Sequence, residues 1–287
     1  MKEIEDRSIC AGIVLFNPEI PSLIDNINVI LHQVNEIVLI DNASLNIEQI
    51  NLSLCGYPNV YIFRNEMNLG IAKALNQIFE WASQKGYAWV LTLDQDSFCS
   101  PVLVREYKKY INEGVGILSP IIHDNTDEYA LLAKIVEEIT SIDECITSGS
   151  LTSVTIWEKV GKFNELLFID FVDFDFCIRV RLQGYKILRV NNTYINHQLG
   201  SKYKLIRLPF GMNFKIYNHS VERNYFYVRN NIYYIRKYWK HINKTYHILR
   251  LIHWEVRKII FEPQKIQMIK SIIHAIKSSS SIYKEGI

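Results

Sequence analysis

Two acidic groups in this chain have the residue types and spacing for chemistry. Asp94 and Asp96 stand one residue apart in Leu93-Asp94-Gln95-Asp96-Ser97, just past the apolar run at 88–91. Carboxylates so spaced, where a buried strand runs out, can point into one crevice. Their hard oxygens suit Mg²⁺ or Mn²⁺, which complete their shell with water and substrate phosphate. A plain Asp-rich turn explains the pair equally well when it is taken alone. The second group is Phe168-Ile169-Asp170-Phe171-Val172-Asp173-Phe174-Asp175, three carboxylates among aromatics. Burying them is costly unless a metal, a cation or a helix N-terminus answers their charge. A helix over 174–183 puts Asp173 at its positive end and keeps it ionised, as a general base must be. A capping Asp without chemistry is the alternative. His197, in Asn196-His197-Gln198-Leu199-Gly200, is a third candidate, although a lone His is more often structural.

These groups need a scaffold. Buried strands are predicted at 9–16, 36–40 and 60–63, with helical spacing over 19–35 (Leu23, Ile27, Ile30, Leu31, Val34) and over 71–84. Another helical stretch lies at 102–112, a strand at 114–120, and a short helix over 154–160 with Ser153 as its cap. Strands alternating with helices at this rhythm predict an α/β fold, a mostly parallel sheet with helices on both faces. Several strands end in acids or amides: Asn17, Asp41-Asn42 and Asp94-Gln95-Asp96. In an open α/β sheet the crevice beyond the carboxyl ends of the strands is where ligands bind. An Asp there can accept a pyrimidine N3–H, and amides can hold ribose and phosphate. Neither G-x-G-x-x-G nor the P-loop pattern occurs, so a nucleotide here would rely on a metal for its phosphates. Residues 122–145 are polar and irregular, and His123-Asp124 within them reads as a solvated loop.

The succession Phe16-Asn17-Pro18, Asp41-Asn42-Ala43-Ser44, Asn68-Leu69-Gly70 and Asp94-Gln95-Asp96-Ser97 resembles the family 2 glycosyltransferases, which have the GT-A fold. The Asp-Gln-Asp-Ser version is similar to the rhamnosyltransferase branch. Each tetrapeptide alone is weak; four in this order and spacing are strong. The resemblance implies that Asp41 binds the nucleotide base and that Asp94 and Asp96 hold a divalent metal, Mg²⁺ or Mn²⁺, and the sugar nucleotide. It extends the nucleotide-sugar site to Phe16, Asn17, Pro18, Asn42, Asn68, Gly70, Lys73, Gln95, Gly149, Ser150 and Arg223. The acidic cluster resembles the family's E-D-x-D-L-x-x-R motif, with Asp173 on the catalytic base, Asp175 on the second Asp and Arg179 on the Arg. Val172 replaces the Glu, and Asp170 supplies an acid two residues earlier, which makes Asp170 a second catalytic candidate beside Asp173. His197 falls on the family's His-x-x-Gly, a contact for the metal or the diphosphate. For Ser150 a purely structural role in a strand is an equal reading.

The resemblance implies inverting transfer of a sugar from a nucleoside diphosphate sugar, dTDP-L-rhamnose by family likeness, to a hydroxyl acceptor. That acceptor is a lipid-linked or growing cell-surface polysaccharide. A UDP-sugar donor is the alternative, and a sugar nucleotidyltransferase is a rival of another class. The rival would carry a Gly-rich, Lys/Arg-containing loop after its first strand, where this chain has Asn17-Pro18-Glu19. A nicotinamide-dependent oxidoreductase lacks its glycine fingerprint here.

Charge divides the chain. Residues 1–201 hold 15 Lys+Arg against 26 Asp+Glu, a balance of −11, and residues 202–287 hold 17 against 4, a balance of +13. This predicts a GT-A catalytic domain at 1–201 and a basic, aromatic-rich helical extension at 202–287. In the extension, Arg223 to Asn231 resembles an R-x-Y-Y-x-x-R-N segment of the same branch. Ile266, Ile269, Ile272, Ile273 and Ile276 share a helical face ringed by Lys265, Lys270 and Lys277, which suits peripheral contact with an anionic membrane or packing in a homodimer. Nucleic acid is not expected as a partner. Residues 278–287 read as a frayed end. Five scattered cysteines, never in C-x-x-C, fit a reducing cytosol and argue against both a disulfide framework and a zinc site. The charged N-terminus and the absence of an 18-residue apolar run make the expected location cytoplasmic.

Overall fold

The computed structural model describes residues 9–123, 137–197, 203–207, 213–217 and 220–285. They fall into two compact units, one formed by Met1–Glu165 with Val172–Leu199 and the other by Leu166–Phe171 with Gly200–Ile287. The short segment Leu166–Phe171, and with it Asp170, thus belongs to the C-terminal unit.

The first unit is an α/β sheet. Strands β1 (Ile9–Leu15), β2 (Ile37–Asp41), β3 (Val60–Arg64) and β4 (Trp89–Asp94) are parallel and lie in the order β3-β2-β1-β4. Helices α1 (Ile20–Leu31), α2 (Ile47–Leu54) and α3 (Ile71–Gln84) make the crossovers. β2 is buried along its whole length, which is why it reads as an unbroken apolar run rather than an alternating one. Leu23, Ile27 and Ile30 of α1 are buried at helical spacing. α2 went unnoticed in the sequence because it buries only Ile50 and Leu54.

Beyond β4 the sheet becomes mixed. It continues through β8 (Ser150–Ser153), β6 (Val115–His123), β9 (Lys186–His197) and β5 (Ser97–Cys99), with β7 (Ile139–Ser141) also paired to β9. β8 is antiparallel to both its neighbours, whereas β6 and β9 are parallel. The parallel arrangement therefore holds for the first four strands, and β8 interrupts it. Helices α4 (Leu103–Lys108), α5 (Val154–Lys159) and α6 (Val172–Leu182) complete the unit. Ser153 caps α5 by accepting from the Ile156 N–H. Between β6 and β7, residues 124–136, Asp124 among them, lie outside the described part. His123 stacks on Tyr194, ring centroids 4.6 Å apart.

The second unit contains the hairpin β10 (Tyr203–Arg207) and β11 (Asn213–Tyr217), then α7 (Val221–Lys237), α8 (Lys244–Phe261) and α9 (Lys265–Glu285). Residues 278–285 are not frayed. α9 runs through them because it packs there, with Ser279 and Ile282 buried and Tyr225 and Arg236 of α7 donating to the Ser278 and Ser280 hydroxyls; Ser278 and Ser279 satisfy their own donors on the His274 and Ile276 carbonyls. Among the described residues no helix is long and apolar enough to cross a membrane.

Candidate active site

The chain leaves β1 toward β2 and β3 on one side, then returns to place β4 on the other. The carboxyl ends of β1 and β4 thus flank a topological switch point, where open α/β sheets bind ligands. Residues after β1, β2 and β4 meet there. Gln95, in the turn after β4, ties two of these ends together: its Oε1 accepts from the Phe16 N–H (2.9 Å) and its Nε2 donates to the Phe16 carbonyl (3.3 Å).

Asp41 closes β2 and is fully buried. Its carboxylate accepts from the Ser44 N–H (3.1 Å to Oδ2) and faces the Arg64 guanidinium at 3.6 Å. The sheet register puts Arg64 directly opposite Asp41, so the polar residues that end two adjacent strands become partners; β3, expected to be buried, is half-buried to exposed because it is the edge strand. Arg64 is half-exposed, so the buried Asp41 carboxylate has a cation on its solvent side. Ser44 Oγ accepts from the Asn17 N–H (2.8 Å), and Asn17 Oδ1 accepts from the Leu45 N–H (2.8 Å), which lashes the loop after β1 to the loop after β2. The Pro18 carbonyl accepts from Asn46 (2.8 Å).

Behind this lies a closed amide network. Asn42 donates to the Gly70 carbonyl (3.2 Å) and accepts from Asn65 (2.9 Å), which exchanges two further bonds with Gln77 of α3. Asn68 Oδ1 accepts from the Gly70 N–H (2.9 Å), and Gly70 adopts φ 84°, a left-handed conformation that glycine adopts readily. The Asn68-Leu69-Gly70 motif is therefore a shaped turn. Lys73, one turn into α3, pairs with Glu165 at 3.2 Å, and both are well exposed. Glu165 also accepts from Asn76, whose side-chain amide clamps both backbone groups of Phe163 and accepts from the Trp157 indole. Asn76 was not singled out in the sequence; a buried amide in an apolar helical stripe was the available signal.

Asp94 and Asp96 flank Gln95, and both are half-exposed. The Asp94 N–H donates to Ser148 Oγ (3.1 Å), Ser148 donates to Ser97 Oγ (2.8 Å), and the Asp94 carbonyl accepts from Asn26 (3.1 Å). The Asp96 carboxylate takes no hydrogen bond or ion pair from the described residues. β5 and β9 pair so that His197 stands opposite Ser97, the residue after Asp96. The His197 side chain lies outside the described part. Among the described residues no three His, Cys, Asp or Glu side chains gather as a ready-made metal site. Two carboxylates on a solvated turn nevertheless fit a cation that keeps several waters and takes its other ligands from phosphate.

Gly149 adopts φ 78°, and a Cβ there would sit 2.8 Å from Ile195 Cγ2 and 2.9 Å from Pro120 Cγ, so any larger residue must displace these side chains. Its N–H donates to the Thr92 carbonyl (2.7 Å), and its carbonyl accepts from Tyr107 (2.7 Å). Burial holds the Tyr107 phenol far above its ordinary pKa, so it remains a donor. Ser150 is buried and donates to the Ile146 carbonyl (2.6 Å), the structural role foreseen as its equal reading.

Asp173 lies half-exposed in the first turn of α6, where the helix dipole favours a carboxylate. Asp175 is fully buried and paired with Arg179, 2.8 Å to Nη2 and 2.9 Å from Nε, while Arg179 Nη1 donates to the Val160 carbonyl (2.6 Å). The second Asp of the motif and its Arg thus anchor α6. Cys177, one turn after Asp173, has its Sγ 3.8 Å from that of Cys145. The hydrogen bond with Cys145 and burial both raise its pKa, so it stays a thiol.

In the other unit, Asp170 and Phe171 adopt φ 62° and 67°, consecutive left-handed residues without glycine. α7 holds them there. Asn230 donates to the carbonyls of Ile169 (2.7 Å) and Asp170 (3.1 Å), Arg229 donates to Leu166 (2.7 Å), and Arg223 pairs with the Asp170 carboxylate at 3.2 Å. Arg223, Arg229 and Asn230 of the motif thus grip the segment just before Asp173 in the chain. Among the described residues, four of the five non-glycine residues at positive φ lie in the motif segments: Asn17, Ala43, Asp170 and Phe171. Backbone strain of this kind concentrates at functional sites.

A mixed α/β sheet with motif loops gathered at a switch point is the GT-A architecture, and comparison with known proteins agrees. Residues 10–177 match glycosyl transferase family 2. The chain is 30% identical over 248 residues to a dTDP-rhamnosyl transferase, RfbF, of Shigella flexneri, covering 78% of this chain and 79% of that protein. Among solved structures it resembles S. aureus TarS 1-349 in complex with UDP-GlcNAc (TM-score 0.60, 16% identity, 95% of this chain and 80% of that one). It also resembles GalNAc-T7 with UDP, GalNAc and Mn²⁺ (TM-score 0.59, 16% identity, 83% of this chain), of which it spans about half, 49%. The chain belongs to glycosyl transferase family 2. It is an enzyme of the glycosyltransferase class, similar to rhamnosyltransferases.

Proposed function

We propose that the chain transfers L-rhamnose from dTDP-L-rhamnose to a hydroxyl of a lipid-linked or growing cell-surface saccharide, with inversion at the anomeric carbon. The observation that carries the donor is the 30% identity to a dTDP-rhamnosyl transferase along most of both chains. Asp41, buried with an oxygen against the Ser44 N–H, receives the base, and Arg64 beside it limits how the base enters. Phe16, Asn17, Pro18, Asn42, Asn68, Gly70 and Gln95 shape the loops around the nucleotide, with Lys73, Gly149 and Ser150 in supporting positions. Asp94 and Asp96, with His197 as a third candidate, are the residues that would hold Mg²⁺ or Mn²⁺. When bound, the metal neutralises charge that develops on the departing diphosphate.

Asp173 takes the proton of the acceptor hydroxyl as that oxygen attacks the face opposite the leaving group. One C–O bond forms as the other breaks, so no covalent enzyme intermediate is needed. The sugar passes through an oxocarbenium-like state, as in glycoside hydrolysis. Asp170, tied to Arg223, orients the segment rather than accepting the proton itself. We place the reaction in the cytoplasm, in keeping with five free cysteines.

A panel of nucleotide sugars, read by release of nucleoside diphosphate with and without Mn²⁺ or Mg²⁺, tests this reading. Turnover of dTDP-L-rhamnose that EDTA abolishes is the expected result. Preference for a UDP-sugar removes the donor assignment and leaves the reaction class standing. Turnover indifferent to EDTA removes the metal.

A further inference from the structure

α8 is built inside out. Its central charges Glu255 and Lys258 are buried, 3.2 Å apart, and both are bonded to Asn224 of α7. Leu249, Ile252, Val256 and Ile260, spaced by three, four and four residues along one face, are 47% to 60% exposed. α9 shares the trait. It buries Met268, Ser271, Ala275, Ser279 and Ile282, and leaves Ile266, Ile269, Ile273 and Ile276 41% to 72% exposed. A water-facing helix has the opposite arrangement. Single exposed aliphatics need no explanation, but two helix-long rows on helices of one compact unit do.

Charge selects the occupant. Between Lys244 and Lys284 the only acids are Glu255 and Glu262, and both are buried, whereas Lys244, Lys265, Lys270, Lys277 and Lys284 are exposed. The surface of these two helices therefore presents aliphatic rows and cations. Trp239 is 45% exposed with the Lys244 ammonium 4.4 Å from its ring, and the Arg257 guanidinium lies 5.1 Å from the Trp254 ring. Aromatic rings beside cations suit the headgroup layer of a bilayer. A second copy fits poorly, because a two-fold interface sets a patch against itself and would bring cation to cation.

We propose that α8 and α9 together form a docking surface for an anionic lipid bilayer. Both helices lie in the headgroup plane, with their exposed aliphatic rows in the acyl boundary and their lysines on lipid phosphates. The sequence pattern points to α9 alone; the burial of Glu255 and Lys258 adds α8. This inference stands on the two helices and is independent of donor and reaction.

Co-sedimentation of the full chain with vesicles of phosphatidylcholine, with and without phosphatidylglycerol, tests it. Binding is expected to the anionic vesicles and to fall with salt. Each cation near an anionic surface contributes about fivefold in partition, so Lys265→Gln/Lys270→Gln/Lys277→Gln should weaken binding on the order of a hundredfold. Ile252→Ser/Val256→Ser should also weaken it, with circular dichroism melting and nucleotide binding unchanged because these side chains point outward. A folded chain that binds neither vesicle overturns the proposal, as does undiminished binding by both variants. Self-association abolished by Ile252→Ser/Val256→Ser, without vesicle binding, assigns the face to a second copy and equally overturns it.

Discussion

In the sheet unit the helices turn their apolar faces inward onto the strands and several polar side chains collect where strands end, whereas in the helical unit Asn224, Glu255, Lys258 and Asn230 are interior and rows of Ile, Leu and Val face outward. The first arrangement is what a strand-by-strand apolar pattern dictates, with hydrogen-bonded loops left to do chemistry. The second replaces part of an apolar core with hydrogen-bonded polar clusters. One of these, Arg229 and Asn230 on Leu166–Phe171, holds a strained segment. The other, around Asn224, occupies the inner face of α8 and leaves its aliphatic row exposed. Polar groups thus tie the strand-end loops together in one unit, and in the other they position backbone and surface.

The largest effect expected from breaking this contrast is at the sheet unit's proposed base. Asp173→Asn should lower kcat by roughly 10² to 10⁴ while calorimetric nucleotide binding persists. Substantial remaining transfer would take the base role away from Asp173. In the helical unit, Glu255→Ala should cost about 3 to 5 kcal/mol in urea unfolding, because it strands Lys258 in the interior. The triple change Asn224→Leu/Glu255→Leu/Lys258→Met should recover most of that loss, since the desolvation cost disappears with the charges. A triple variant no more stable than the single one would mean that the cluster specifies the packing and is not merely tolerated.

Gly149→Ala comes next, at about 1 to 3 kcal/mol, from the left-handed backbone and the contacts with Ile195 and Pro120. An unchanged midpoint would show that the β8 loop is softer than its geometry implies. The smallest effect concerns Glu262, whose pKa is raised first by burial and then by Glu255, with Lys258 opposing. A carboxyl with a raised folded pKa gives stability below its unfolded value of 4.5 and loses it as pH rises through the folded value. Glu262→Gln should therefore gain thermal stability relative to the parent at pH 7 and gain nothing below about pH 4. A gain that does not depend on pH would rule out titration of Glu262 as its source.

Two of the candidate acids were legible because each ends an apolar run: Asp41 closes β2 and Asp94 closes β4. Their partners were less so. Arg64 comes opposite Asp41 only through parallel register, and Ser148 reaches the Asp94 N–H across 54 residues of chain. Asn76 sat in an apolar stripe that predicted a helix and hid a clamp. Asp170 gave no sign of its left-handed backbone, which Asn230 imposes from 60 residues away. The stripe of α8, Leu249, Ile252, Val256 and Ile260, has the spacing that marked α9 and was equally available in the sequence; what the sequence could not show is that both stripes face outward, and 278–285 reads as a frayed end although α9 runs through it.

The sequence by itself determined the elements of the sheet, the order of the motifs along it and the family, because strand period, strand-end acids and motif spacing are local properties of the chain. Only the tertiary structure decided which polar groups answer one another: that Asp175 anchors a helix through Arg179 while Asp173 remains half-exposed, and that Gln95 joins the ends of β1 and β4. It also decided that α8 buries its charges. Such pairings depend on register and packing between distant segments, where the cost of burying a polar group is met by whichever partner the fold brings within hydrogen-bonding distance.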